Sequence, residues 1–169
     1  MAGRDSADFD SFYIATVRRV VLYLYAACGD RAEAQDVAQE AFARAWQHWG
    51  RISGYDDPEA WVRQVAWRLM LNRWRSLRRW MAARARLGPS EVVGEPSPDR
   101  VAVIGALQRL PAAQRQVVAL HYLLDVPVQE IATTIGVPVG TVKVRLSRAR
   151  AALGRLLEDQ EISGVPSPA

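Results

Sequence analysis

The chain has 169 residues, 50% of them apolar and 24% charged, so it can bury a working core and is not built like a disordered polymer. A single cysteine, Cys28, excludes an internal disulfide or a multi-cysteine zinc site and fits a reducing compartment. The net charge of +4 hides a block layout: residues 1–60 carry six Arg against ten acids, 61–90 eight Arg and no acid, and 136–157 five bases and no acid. Two basic blocks among acidic ones suit a protein that binds a polyanion and also a second, different partner. Lys143 is the only lysine, which favours forked contacts to phosphate and base edges, although a GC-rich genome also raises arginine content.

Helical periodicity runs nearly throughout, and strand signals are almost absent. A first helix is expected from about Phe9 to Ala27. The MAGRDSADFDSF start places acids where a signal peptide needs a basic and then an apolar run, and no apolar stretch approaches membrane-spanning length. Gly29-Asp30 stops this helix and, with Glu33, opens the next by a capping-box-like pattern. That helix runs to about Trp49 and buries Ala38, Ala41, Phe42, Ala45 and Trp49, with Asp36, Gln39, Glu40, Ala43 and Gln47 on the opposite face. This polar stripe reads as a docking face for a basic surface or as plain solvation. Arg51 to Pro58 is a loop by its Gly, Asp and Pro content.

A long helix follows from about Glu59 to Ala85. Arg68, Asn72, Arg75 and Arg79 share one stripe of it, opposite Ala66, Met70, Trp74 and Leu77. Trp61, Trp67, Trp74 and Trp80 are not all expected in the core of so basic a helix. Arginine beside exposed aromatics suits single-stranded or melted nucleic acid; core tryptophans under a solvated basic face, or a membrane-surface helix, are the alternatives. LGPSEVVGEPSPD, with three prolines and two glycines, reads as a flexible linker over residues 87–99. Helices are then expected from about Arg100 through Leu110 and from Pro111 to Leu124. The stretch IATTIGVPVGTVKVRLSRAR sets a Gly-Val-Pro break between two more. Ile131 and Ile135 face inward, Gly136 stops one helix, and Pro138 starts the next. Val142, Leu146, Ala149 and Leu153 form its buried stripe, leaving Thr141, Lys143, Val144, Arg145, Ser147, Arg148 and Arg150 mostly outside. A short glycine-containing turn before a basic helix makes a helix-turn-helix that places its second helix in the DNA major groove, against the plainer reading of a solvated basic face. The fold class is therefore all-α: residues 1–86, a linker, a helix-turn-helix domain over 100–158, and a frayed tail over 159–169.

No catalytic site is expected. His48 and His121 lack ligand spacing, Asp36 and Glu40 find no third ligand nearby, and no phosphate loop or nucleophile elbow occurs. The expectation is no enzyme activity, no metal, no cofactor and no small-molecule substrate.

Together the motifs resemble a known family. DVAQEAFARAW (Asp36 to Trp46) is similar to the polymerase-docking helix of bacterial RNA polymerase sigma factors. PEAWVRQVAWRLMLNRWRSLRR resembles their −10 recognition and melting helix, and LQRLPAAQRQ through GTVKVRLSRARAAL resembles their −35-reading domain. Two domains and a short linker match the extracytoplasmic-function subgroup. The resemblance implies that Asp36, Gln39 and Glu40 bind core RNA polymerase. It implies that Tyr55, Trp61, Arg68, Asn72, Arg75 and Arg79 meet the −10 element, with the loop Arg51 to Pro58 holding a flipped-out base. Thr141, Lys143, Val144, Arg145 and Arg148 would meet the −35 element, and the linker would thread the polymerase near its active centre. Arg68 stands where the family commonly has Asn, Asn72 where it has Asp, and Val144 where it has Ser, so base preference is expected to differ; Val144 offers apolar contact to a thymine methyl. A separate anti-sigma factor is the implied regulator, and a cytoplasmic location is implied. The competing class is a stand-alone helix-turn-helix repressor or activator.

Overall fold

The structure of the protein, a computed structural model, describes the backbone of residues 2–84 and 98–163 and the side chains of 6–76 and 103–156. The chain divides into two compact units, Met1–Glu95 and Pro96–Ala169. Among the described residues every regular element is helical.

In the first unit α1 spans Ala2–Cys28. Thr16, Val20, Tyr23, Leu24 and Ala27 recur at helical spacing and are buried. Gly29 closes the helix in the left-handed region (φ +76°), its N–H donating to the Tyr25 carbonyl at 2.8 Å. Asp30 then caps α2 (Arg31–Gln47), its carboxylate accepting the Glu33 N–H at 3.1 Å. The buried face of α2 is mostly alanine: Ala34, Val37, Ala38, Ala41, Phe42 and Ala45. Such small side chains let it pack closely on both α1 and α4. The helix expected to reach Trp49 ends at Gln47, and a separate turn, α3 (Trp49–Ile52), follows. His48 takes a non-helical backbone (φ −114°, ψ 13°), and its Nδ1 donates to the Arg44 carbonyl at 2.9 Å. Trp49 and Ile52 are buried, which keeps the chain wound for one more turn and shortens the expected loop to residues 53–57.

The long helix α4 spans Pro58–Arg84 and opens on proline, whose missing N–H is not needed in a first turn. Val62, Ala66, Trp67, Leu69 and Met70 are buried. Of the helix's four tryptophans, Trp67 goes to the core: it is 7% exposed, its ring 5.8 Å from Tyr23 and 6.2 Å from Trp74. At the other end of the unit, Phe9 and Phe12 of α1 pack on Trp49 at 5.2 and 4.9 Å.

The second unit begins with α5 (Pro98–Gln108), two residues before the expected Arg100 and again on proline. Helix α6 (Ala112–Val118) runs into a π-helical turn, Ala119–Leu123. Past it, Asp125 sits at φ 54°, and the Val126 N–H returns to the Leu120 carbonyl at 3.0 Å. Helix α7 (Val128–Ile135) stops at Gly136, and α8 runs from Val139 to Ser163, well into the expected tail. Buried Ile131, Val142, Leu146 and Ala149 join α7 to α8, while Ile135 and Leu153 are half-buried. Residues 87–97 of the expected linker and 164–169 of the tail lie outside the described residues, as do the side chains of Leu77, Arg79 and Trp80. No helix among the described residues is long and apolar enough to cross a membrane.

Candidate polymerase- and DNA-binding surfaces

Burying one face of α2 turns the other outward. Asp36 and Gln39 are exposed, but Glu40 is partly engaged. Its Oε1 accepts from Arg44 at 2.7 Å and its Oε2 from Arg73 of α4 at 3.1 Å. Arg73 also donates to Glu33 at 3.2 Å. Burial alone would lower the Arg73 pKa, but the two carboxylates outweigh it and the net shift is upward. The acidic face thus has two parts: an open pair, Asp36 and Gln39, and a braced carboxylate, Glu40. All of these groups are about a third or more exposed, so each pair contributes under about 1 kcal/mol and Glu40 can exchange partners cheaply. Sequence spacing gave a sign of the Glu40–Arg44 pair, four residues apart, but none of Arg73, which lies on another helix.

On α4, Arg68, Asn72 and Arg75 are exposed along one stripe, opposite buried Ala66 and Met70. Arg79 lies further along the same helix, its side chain outside the described residues. Trp61 is half-buried, its ring 6.3 Å from His48, and Trp74 is half-buried beside Trp67. Tyr55, in the loop ahead of the helix, is 40% exposed. Arg63, on the same helix, is buried and pairs with Asp57 and Glu59 at 3.1 and 2.7 Å. Its i,i+4 spacing to Glu59 was visible in the sequence; its burial was not.

In the second unit, Lys143, Val144 and Arg148 of α8 are exposed, and Thr141 and Arg145 are half-buried. Val144 is 47% exposed, an apolar patch within a basic face. The Gly136 N–H donates to the Ala132 carbonyl at 2.9 Å, as does that of Val137 at 3.1 Å, which sets the turn between α7 and α8.

Neither histidine stands in a ligand cluster: His121 Nδ1 donates to the Val126 carbonyl at 3.1 Å, and among the described residues no group of three potential ligands could hold a metal ion. Burial pushes the Cys28 thiol up to about 11, while its S–H donates to the Asp30 carbonyl at 3.0 Å, so it is protonated and unreactive at neutral pH.

Residues 12–80 match Sigma-70 region 2 and residues 100–153 match Sigma-70, region 4. The ECF RNA polymerase sigma factor SigL of Mycobacterium tuberculosis is 35% identical over 152 residues, covering 82% of this chain and 84% of that one. The chain belongs to the ECF RNA polymerase sigma factors. The fold of this sigma factor is shared with the sigma factor RpoE of Bartonella quintana, solved in complex with the anti-sigma factor NepR. That likeness has a TM-score of 0.79 at 22% identity and covers 89% of this chain and 97% of that one. CnrH, solved in complex with the cytosolic domain of CnrY, gives a TM-score of 0.64 at 25% identity over 91% and 90% of the two chains. As a sigma factor the chain directs promoter-specific transcription, and the stand-alone regulator is not the reading these matches favour. The α2, loop and α4 surfaces fall inside the region 2 match, and the α8 surface inside the region 4 match.

Proposed function

We propose that this sigma factor divides its work among three surfaces. Asp36 and Gln39, with Glu40, dock on a basic surface of core RNA polymerase. Tyr55, Trp61, Arg68, Asn72, Arg75 and Arg79 engage the −10 element as it opens, the loop around Tyr55 holding an extruded base. Extrusion costs a few kcal/mol, which stacking and hydrogen bonding in such a pocket offset. Thr141, Lys143, Val144, Arg145 and Arg148 meet the −35 element in the major groove, where arginine forks suit guanine edges and Val144 suits a thymine methyl. The region 2 domain occupies residues 1–86 and the region 4 domain 100–158. The chain acts without catalysis of its own, in the cytoplasm. Regulation by a separate anti-sigma protein is supported by the complex of RpoE with the anti-sigma factor NepR.

The observation that carries this reading is the opposition of faces. On α2, α4 and α8 alike the apolar stripe is buried while the charged stripe opposite is exposed. Asp36→Arg tests the docking assignment. The side chain is exposed, so folding is unaffected and like charges now meet across the interface, costing several kcal/mol. Retention on immobilised core polymerase should fall at least about tenfold. An unchanged pull-down removes α2 as the docking helix.

A further inference from the structure

Residues 53–57 form a short loop with Ser53, Gly54, Tyr55 and Asp56 exposed, yet it is tied at both ends. At its start Ile52 is fully buried, and the Gly54 and Tyr55 N–H groups donate to the carbonyls of Arg51 and Ile52 at 3.3 and 3.0 Å. At its end Asp57 has two partners. Oδ1 accepts the Ala60 N–H at 2.9 Å, capping α4, and Oδ2 accepts from Arg63 Nη2 at 3.1 Å. The other arm of Arg63, Nη1, donates to Glu59 Oε1 at 2.7 Å, and that oxygen also accepts from Arg19 Nε of α1 at 3.1 Å. A line of alternating charge, Arg19–Glu59–Arg63–Asp57, therefore runs from α1 through the first turn of α4 into the loop.

Arg63 is 3% exposed, and Asp57 is 46% exposed in its side chain. The asymmetry bears on its purpose. Asp57 could be satisfied by water, whereas the guanidinium must give up its hydration to reach it. A buried ion pair is a poor source of stability, and an apolar residue at this position would continue the buried face of Val62, Ala66 and Met70. Capping α4 needs only the Oδ1 of Asp57. What the forked contact adds is geometry: Arg63 holds two carboxylates at once, and one of them belongs to the loop.

We propose that Arg63 is a positioning residue for −10 base selection: by clamping Asp57 it fixes the loop in which Tyr55 meets the extruded base. The inference rests on the base-holding reading of that loop given above. Arg63 itself touches no DNA in this scheme; it acts through Asp57.

The test uses holoenzyme reconstituted from the full chain and core polymerase, on templates of a mapped promoter carrying each base at each −10 position. Asp57→Asn is the informative variant. It keeps the oxygen that caps Ala60, replaces the one facing Arg63 with a donor, and alters a half-exposed side chain, so folding is retained even if Arg63→Met misfolds. The ratio of initiation rates between best and worst base should narrow by about three- to tenfold in Asp57→Asn and in Arg63→Met. The double variant should narrow it no further than either alone, while polymerase pull-down stays within about twofold of the parent. A merely structural role would lower yield or melting temperature and leave that ratio alone. Parental discrimination in Asp57→Asn and Arg63→Met, with a changed ratio in Tyr55→Ala, overturns the positioning role. If Tyr55→Ala also leaves the ratio unchanged, the base-holding reading itself falls and the role of Arg63 falls with it.

Discussion

Gly136 occupies the left-handed region at φ +72°, and a Cβ built there would meet no atom within 4 Å. The need for glycine is therefore conformational and not steric crowding. Gly136→Ala should destabilise the second unit by about 1–2 kcal/mol, the left-handed penalty for a side-chain-bearing residue. Urea unfolding should show a lower midpoint with an unchanged slope. All six tryptophans precede residue 81, so far-UV dichroism or amide exchange, not tryptophan emission, is the signal to follow. A midpoint equal to the parent's would mean the turn between α7 and α8 has another low-energy form. Asp125 at φ 54° shows the same region occupied by a residue that tolerates it, since its short polar side chain can bond locally. Glu40 is a second case of local chemistry shaping a binding face. Its pairing with Arg73 leaves Asp36 and Gln39 as the open groups on α2, so the first contact with polymerase is expected from them.

The two basic helices differ in how far their periodicity discloses them. On α8 the stripe Val142, Leu146, Ala149 is buried as the spacing predicts, because that helix packs on α5, α6 and α7 along one side. On α4 the same logic places Ala66 and Met70 but does not single out Trp67 as the tryptophan that is buried. That ring goes to the core because Tyr23, 44 residues earlier, offers it a partner, and no local pattern encodes such an approach. The pairing of Arg63 and Arg73 is hidden from local pattern for the same reason: a charge on a wheel looks solvated until a carboxylate from another element is brought beside it. Trp61 is one candidate for a stacking platform, half-buried near His48. Trp61→Ala should slow strand opening by about fivefold or more, in line with about 1–3 kcal/mol per stacked base, while closed-complex affinity changes little. Permanganate footprinting beside a gel-shift titration separates the two steps. Equal loss in both would assign Trp61 to packing alone.

Charge is distributed so that binding must be shared. The 61–90 block has eight arginines and no acid, and 136–157 has five bases and no acid, yet the whole chain carries only +4. The remaining acids keep the free protein from acting as a strong general polycation, while each basic face keeps its own local field. Every phosphate neutralised releases condensed counterions, so the logarithm of affinity falls with that of salt by about 0.9 per duplex phosphate and about 0.7 per single-strand phosphate. Because Arg68 and Arg148 are exposed on separate compact units, their contributions to that slope should add. For holoenzyme on its promoter, Arg148→Ala should flatten the slope by about 1 and Arg68→Ala by about 0.7, with the double variant close to the sum. If Arg148 forks a base instead, the slope stays and affinity drops by about 1–3 kcal/mol, with relaxed preference at one −35 position only. A double variant no flatter than one single variant would mean that only one of the two faces lies on the DNA backbone, and a slope and an affinity insensitive to both substitutions would remove both faces from the promoter.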